Sequence, residues 1–428
     1  MAEELTRKEL FTELGSTGLS RFGGYVAEEW LADLQGTRGV RVYKEMRDSD
    51  PVIGAILFAI EMLCRQADWR VDPAGNVQES IEAARFLQSC LDDMSMSWRD
   101  VVNEALSMLV FGWSWHEIIY KRRLGPKGDP PSKFDDGKIG WRKIPIRAQE
   151  TLVEWEFDDS GGIKAMKQSA PPDYQIRRVP IEKSLLFRVR SRKGNPEGIS
   201  LLRNAYRPWK FKRQIEAIEG IGIERDLAGL PVAWVPPNIA SPATAEERAS
   251  LEAYKRLVTN IRRDQQEGIV MPLAYDRDGK NKLYDLTLLT TGGRRQFDTN
   301  AAIERYDSRI AQTVMADFIL LGTQKVGSFA LSSNKTHLFA VAIGAVLDEI
   351  EEVMNTHAIP RLFALNGMDL QELPKLRHGD IEDMDLEELG KYITALSGAG
   401  MPLFPNSALE KALLQAAHLP TEGVEESA

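Results

Sequence analysis

Cysteine and histidine are scarce in this chain of 428 residues, and the scarcity excludes much chemistry. The two cysteines, Cys64 and Cys90, form no CxxC and no Cys/His ligand spacing. A disulfide framework and the thiolate-rich zinc modules are thereby removed, and two buried thiols in a reducing compartment remain. The five histidines, His116, His337, His357, His378 and His418, are scattered, so a zinc site has little support. Also missing are G-x-S-x-G, H-E-x-x-H and a nucleophile-like Cys/His pair. Long hydrophobic runs are lacking. "PVIGAILFAIEMLCRQADW" is interrupted by Glu61 and is too short to span a bilayer, which takes about 20 apolar residues. The opening "MAEELTRKELFTELG" carries charge throughout and does not read as a signal peptide, so an intracellular, soluble product is expected. There is no excess of positive charge: the net charge is −9, which argues against a protein that grips nucleic acid over its whole surface. It leaves room for one that handles DNA without holding it.

What is present is ample for a core. Hydrophobic residues make up 43% and charged residues 27%, and the length suggests two or three domains. Residues 1–38 are polar and glycine-rich and read as a mobile or docking arm. Helical periodicity begins at Val42. In "DSDPVIGAILFAIEMLCRQADW", Asp50 or Ser49 is placed to cap and Pro51 to open a helix whose apolar face is Ile53, Ile56, Leu57, Ile60, Leu63 and Cys64. A second helix is expected over about 76–92, and a third after the Ser97/Asp100 capping-box pattern. At Gly112 the period changes. "WSWHEIIYKRR" reads as a strand, and residues 112–190 as a mainly antiparallel β region. Helix returns over 199–228, a compact α+β insert fills 229–290, and a further helix carries Ile303, Tyr306, Ile310, Val314 and Phe318. Another helix places Ala342, Val346, Ile350 and Val353 on one face. The last sixty residues are helical and acidic.

Three stretches invite a chemical reading. "LLGTQKVGSFALSSNKTHL" (320–338) has Gly322 and Gly327 at phosphate-loop spacing. Ser328 and Phe329 stand where Lys and Ser/Thr belong, and a helix rather than a strand precedes it, so nucleotide binding is rejected. The acids of "DEIEE" (348–352) and "EDMDLEE" (382–388) diverge around a helix, and no third metal ligand suggests itself. The run "RNAYRPWKFKR" (203–213) mixes Arg203, Arg207, Lys210, Lys212 and Arg213 with Tyr206, Trp209 and Phe211, a composition that suits nucleic acid. Acids at Glu216, Glu219, Glu224 and Asp226 follow it. Packing against the same helix of a neighbouring subunit is therefore favoured over DNA binding.

Helix, β region, helix, small insert, helix, polar loop, long helix: this order resembles the portal proteins of tailed bacteriophages, most closely the Mu-like branch. The residues that carry the resemblance are "YKEMRDSDPVIGAILFAIEMLCRQADWRV" (43–71), "MLVFGWSWHEIIYKRR" (108–123) and "PEGISLLRNAYRPWKFK" (196–212), and it covers about residues 40–360. It implies an α+β, mainly helical portal fold of wing, stem, clip and crown that assembles into a ring. The segments would be an arm (1–40), wing (41–198 with 337–380), stem helices (199–228 and 293–319), clip (229–292), tunnel loop (320–336) and a short crown (381–428). Thr323, Gln324, Lys325, Ser328, Ser332, Ser333, Asn334 and Lys335 would face DNA in the channel with weak, screened attraction. Arg207, Lys210, Lys212, Arg213, Glu216 and Glu219 would line a subunit interface or the channel. Arg248, Lys255, Arg262, Arg263, Asp276 and Asp278 would dock partners on the clip. The implied partners are other copies in a ring (a dodecamer in the family), double-stranded DNA without sequence preference, terminase, neck or adaptor protein, major capsid protein and scaffold, with no membrane and no cofactor. The implied place is the virion, after assembly in the host cytoplasm, and no enzymatic activity is expected. Rival readings are a neck or adaptor protein of the same particle and a metal-dependent DNA-processing enzyme.

Overall fold

The computed structural model describes residues 13–228, 230–260, 275, 282, 284–289, 298–313 and 329–379. They form two compact units: residues up to Tyr206 together with those from Ile310 on, and Arg207–Arg309.

The first unit opens with a small hairpin, β1 (Arg21–Phe22) and β2 (Tyr25–Val26). The described part of the arm is docked rather than free. The backbone N–H of Trp155 donates to the Gly24 carbonyl at 2.9 Å, and Lys193 pairs with Glu28 at 3.0 Å. Helix α1 (Gly36–Ser49) begins before the expected start at Val42. Helix α2 (Pro51–Gln66) is capped by Asp50, whose carboxylate accepts from the N–H groups of Val52 and Ile53 at 3.0 and 3.1 Å. Ile53, Ile56, Leu57, Ile60 and Cys64 are buried, and Leu63 lies at the edge of the same core. Strand β3 (Trp69–Asp72) and helix α3 (Gln78–Asp92) follow. Helix α4 (Trp98–Ala105) starts in a full capping box: the Asp100 N–H donates to the Ser97 hydroxyl and the Ser97 N–H to the Asp100 carboxylate. Helix α5 (Ser107–Phe111) ends at Gly112, where φ is +90°. A Cβ there would lie 2.4 Å from the Glu197 carbonyl oxygen, so both conformation and space demand glycine.

Past Gly112 the chain becomes the expected antiparallel β region. Its strands are β4 (Trp113–Glu117), β5 (Ile119–Leu124), β6 (Asp135–Lys143), β7 (Ile146–Arg147), β8 (Leu152–Phe157), β9 (Ile163–Ser169), β10 (Ile176–Pro180) and β11 (Ser184–Arg188). They pair as β11-β4-β7, β10-β9-β8 and β5-β6. The alternation of β4 is used on both faces. Trp113 and Trp115, with Leu186 of β11, pack on Trp155, Met166 and Val179 of the neighbouring sheet. Leu185 and Phe187 of β11 join the helical core instead, and His116 of β4 lies edge-on to Phe187.

The loop between β5 and β6 is held by a buried knot. The Lys121 ammonium donates to the carbonyls of Asp93 and Pro131 at 2.6 and 3.0 Å and lies 3.0 Å from the Asp93 carboxylate. Asp93 also accepts from the Ser132 hydroxyl and the Lys133 N–H.

In the second unit come α6 (Tyr206–Ala228), β12 (Leu230–Trp234), α7 (Pro237–Ala240), α8 (Ala245–Asn260), β13 (Asp285–Leu289) and α9 (Thr299–Thr313), whose last residues belong to the first unit. Strands β12 and β13 pair antiparallel, and Tyr275 bridges Lys282 in the same sense.

The first unit is completed by α10 (Phe329–Val353), a π-helical turn (Met354–Ala358), α11 (Ile359–Leu365) and β14 (Lys375–His378), which pairs with β3. The buried face of α10 is Phe339, Ile343, Leu347, Ile350 and Val353, whereas Ala342, expected on that face, is exposed. Two asparagines act as surrogate strand neighbours. Asn355 accepts from the Leu376 N–H at 2.8 Å and donates to its carbonyl at 2.9 Å, and Asn366 does the same for Ile139 of β6. Cys64 and Cys90 are free and buried, and burial pushes their thiols up to about 12 and about 11. Among the described residues, no helix is long and apolar enough to cross a membrane.

Candidate functional site

Of the residues singled out in the sequence, those on α6 are gathered into one described structure. Helices α6 and α9 run antiparallel. The hydroxyl of Thr299 donates to Glu219, the Phe211 and Tyr306 rings stack at 6.2 Å, and the Lys212 ammonium lies 2.6 Å from the Asp307 carboxylate. Aromatic rings carry the neighbouring cations: Arg207 lies over Phe211, Arg213 over Trp209, and Arg305 and Arg309 over Tyr306.

Their exposure sorts them. Arg207, Lys210, Arg213 and Glu216 are exposed, and Glu219 is half-buried. Lys212 is 3% exposed and spent on Asp307. The expectation that it presents charge to a neighbour or to the channel is therefore corrected. A lone buried ammonium is costly, so it is found where a carboxylate from the facing helix meets it.

Arg248 and Lys255 lie exposed and seven residues apart on α8, and so share a face. That helix is fixed by a capping box, in which the Glu247 N–H donates to the Thr244 hydroxyl and the Thr244 N–H to the Glu247 carboxylate. Arg262, Arg263, Asp276 and Asp278 lie outside the described residues, as do Thr323, Gln324, Lys325 and Ser328. Ser332, Ser333, Asn334 and Lys335, expected in a loop, have helical backbone, because α10 begins at Phe329. Extending an established helix adds one hydrogen bond per residue fixed, and that offsets the modest helix preference of Ser and Asn.

Sequence reasoning missed one cluster. Asp348 and Glu351, from the acidic run on α10, meet His378 at the end of β14, with one donor atom of each inside a 4.8 Å span. The three-residue spacing of the acids was visible. The return of a strand carrying the third group was not.

Among the described residues no nucleophile is paired with a base in an open cleft. Comparison with known proteins gives the chain a family. A chain in the virion of the native gene transfer agent particle is similar over 89% of this chain and 93% of its own, at 11% identity and a TM-score of 0.50. A chain in the neck of the native particle, computed with C12 symmetry, is similar over 89% and 93% at 11% identity, with a TM-score of 0.48. An HK97 family phage portal protein from Corynebacterium diphtheriae covers 77% of this chain and 92% of its own at 11% identity, with a TM-score of 0.41. Identities this low speak of fold alone. The family model described as the portal protein of Mu bacteriophage matches residues 40–413, which is most of the chain, and the protein therefore belongs to that portal family.

Proposed function

We propose that this chain is the subunit of a closed ring at one capsid vertex, through which double-stranded DNA is packaged, retained and released. The observation that carries the reading is the family match over residues 40–413. In this assignment residues 41–198 and 337–380 are wing, 199–228 and 293–319 stem, 229–292 clip, 320–328 tunnel loop, shortened from the expected 320–336 because 329–336 are the first turns of α10, and 381–428 crown. The ring is twelve-fold, as the family resemblance implies.

The surface of α6 supports a second copy as the neighbour. Phe211, Ile218 and Ile221 are 42%, 69% and 51% exposed. Spacings of seven and three put them along one stripe of the helix, beside the exposed charges of Arg207, Lys210, Arg213 and Glu216. A head-to-tail ring needs two different complementary patches on each subunit, and this stripe is suited to be one of them. DNA contacts are weak and non-specific, consistent with a net charge of −9. Terminase and then neck or adaptor proteins dock on the unit that bears Arg248 and Lys255, and capsid protein and scaffold hold the wing. The chain performs no catalysis, and ATP hydrolysis belongs to the terminase. Assembly takes place in the host cytoplasm, and the ring ends in the virion.

Electron-microscope class averages of the purified protein, viewed along the symmetry axis, test this. A closed ring with a central hole is expected. A compact two-fold dimer with no ring under any condition overturns the proposal.

A further inference from the structure

We propose that Asp348, Glu351 and His378 bind a divalent first-row transition-metal ion that ties α10 to β14. The three come from two elements that the backbone locks together. Asp348 and Glu351 lie one turn apart on α10, and His378 is set by the pairing of β14 with β3, opposite Trp69. Asn355, just past the end of α10, grips Leu376 from the other side.

The hydrogen bonds of the imidazole point to a cation. Nδ1 of His378 lies 2.9 Å from the Gly379 carbonyl oxygen, which can only accept, so Nδ1 carries a hydrogen. In the neutral ring Nε2 then holds a lone pair. It faces the Asp348 carboxylate oxygen 3.1 Å away, another acceptor. Two acceptors at that distance repel unless a positive charge lies between them. His116 shows the contrast: its Nδ1 also meets a carbonyl, that of Ile144 at 3.0 Å, but its Nε2 meets the Ser114 hydroxyl at 2.8 Å, which can donate.

The dimensions fit a metal. Zinc–nitrogen and zinc–oxygen bonds of about 2.0–2.2 Å put neighbouring ligand atoms of a tetrahedral site about 3.3–3.6 Å apart; Nε2 and the Asp348 oxygen, 3.1 Å apart, need only open slightly, and all three donors lie within 4.8 Å. A carbonyl on the second ring nitrogen is also how metal-binding histidines are oriented. One nitrogen and two carboxylates favour zinc or manganese over magnesium or calcium. Three groups crowd the site, the first being the His378 backbone N–H, which donates to the second Glu351 oxygen at 3.3 Å. The Arg377 guanidinium donates to Glu351 at 2.7 Å, and the Trp69 ring forms a wall 5.6 Å from the imidazole. The Arg377 side chain is 46% exposed and can turn to water when a cation takes its place.

The test uses the full chain, stripped with EDTA and titrated with zinc chloride and manganese chloride by calorimetry, with melting temperatures read alongside. The variants are Asp348→Asn, at an exposed position where folding is retained, and His378→Gln. We expect one strongly bound zinc ion per chain, a higher melting temperature when it is bound, and at least ten-fold weaker binding in both variants. Binding unchanged in both variants overturns the proposal. So does a wild-type chain that takes up no zinc at ten-fold excess.

Discussion

Lys212 and Asp307 form an ion pair 2.6 Å long between α6 and α9, with the lysine almost entirely out of solvent. It sets a buried cation of α6 apart from the exposed ones, Arg207, Lys210 and Arg213.

Lys212→Met leaves Asp307 without its buried cation. We expect a loss of about 2–4 kcal/mol, toward the lower side of what breaking a buried pair costs because Asp307 retains some contact with water. Lys210→Met, at an exposed site on the same helix, changes stability by no more than about 1 kcal/mol, the most that an exposed ion pair is worth. Urea melts of both, with Lys212→Met/Asp307→Asn closing the cycle, check this. Equal effects of the two single variants would refute the distinction.

His116 makes the fold acid-sensitive at mild pH. Burial, with Arg147 nearby, pulls its pKa down to about 4 against the opposing pull of the Ile144 carbonyl. Between about 6.5, the unfolded value, and 4, the unfolded chain binds more protons, so stability falls as pH is lowered through that window. The loss reaches about 3 kcal/mol. Unfolding midpoints from pH 7 to pH 4 measure it, and His116→Gln should flatten the slope.

A second acid window belongs to Asp93. Burial alone would raise its pKa, but the Lys133 N–H, the Ser132 hydroxyl and Lys121 outweigh that and hold it below the ordinary carboxylate value. Its contribution is complete above about pH 4 and is lost as pH falls through the lowered folded value. Asp93→Asn should cost about 2–4 kcal/mol at pH 7. The gap between variant and wild type should close below pH 4, as denaturation curves at stepped pH would record.

Gly112→Ala should destabilise by about 2 kcal/mol or more, since φ is +90° and the new Cβ meets the Glu197 carbonyl oxygen at 2.4 Å. Gly54→Ala, inside α2 where the nearest non-local atom is 3.6 Å away, should stabilise by about 0.5–1 kcal/mol. Paired denaturant melts give both signs in one experiment.

The sequence patterns were readable where one residue type answers one local need. Asp50 and Pro51, the Ser97/Asp100 box and the change of period at Gly112 each mark the end of an element by a purely local need. The face of α10 was harder. Apolar residues in "HLFAVAIGAVL" nearly encircle the helix, so period alone could not choose between the stripe with Ala342 and the one with Ile343. Lys212 looked like one cation among several in a basic run. Only the facing helix, arriving some ninety residues later with Asp307, makes it interior. His378 was hidden for the same reason: its neighbours are supplied by tertiary approach and not by spacing.

Asn355 and Asn366 matter beyond the strands they touch. In the proposed ring, identical strands would be gathered at high local concentration, and an open strand edge accepts any of them. With the outward N–H and C=O of Leu376 and Ile139 already satisfied by side-chain amides, the edges are closed to misplaced zippering at those two positions. In the proposed ring, recognition between copies would then fall to side-chain surfaces, where shape and charge can select one neighbour and one angle.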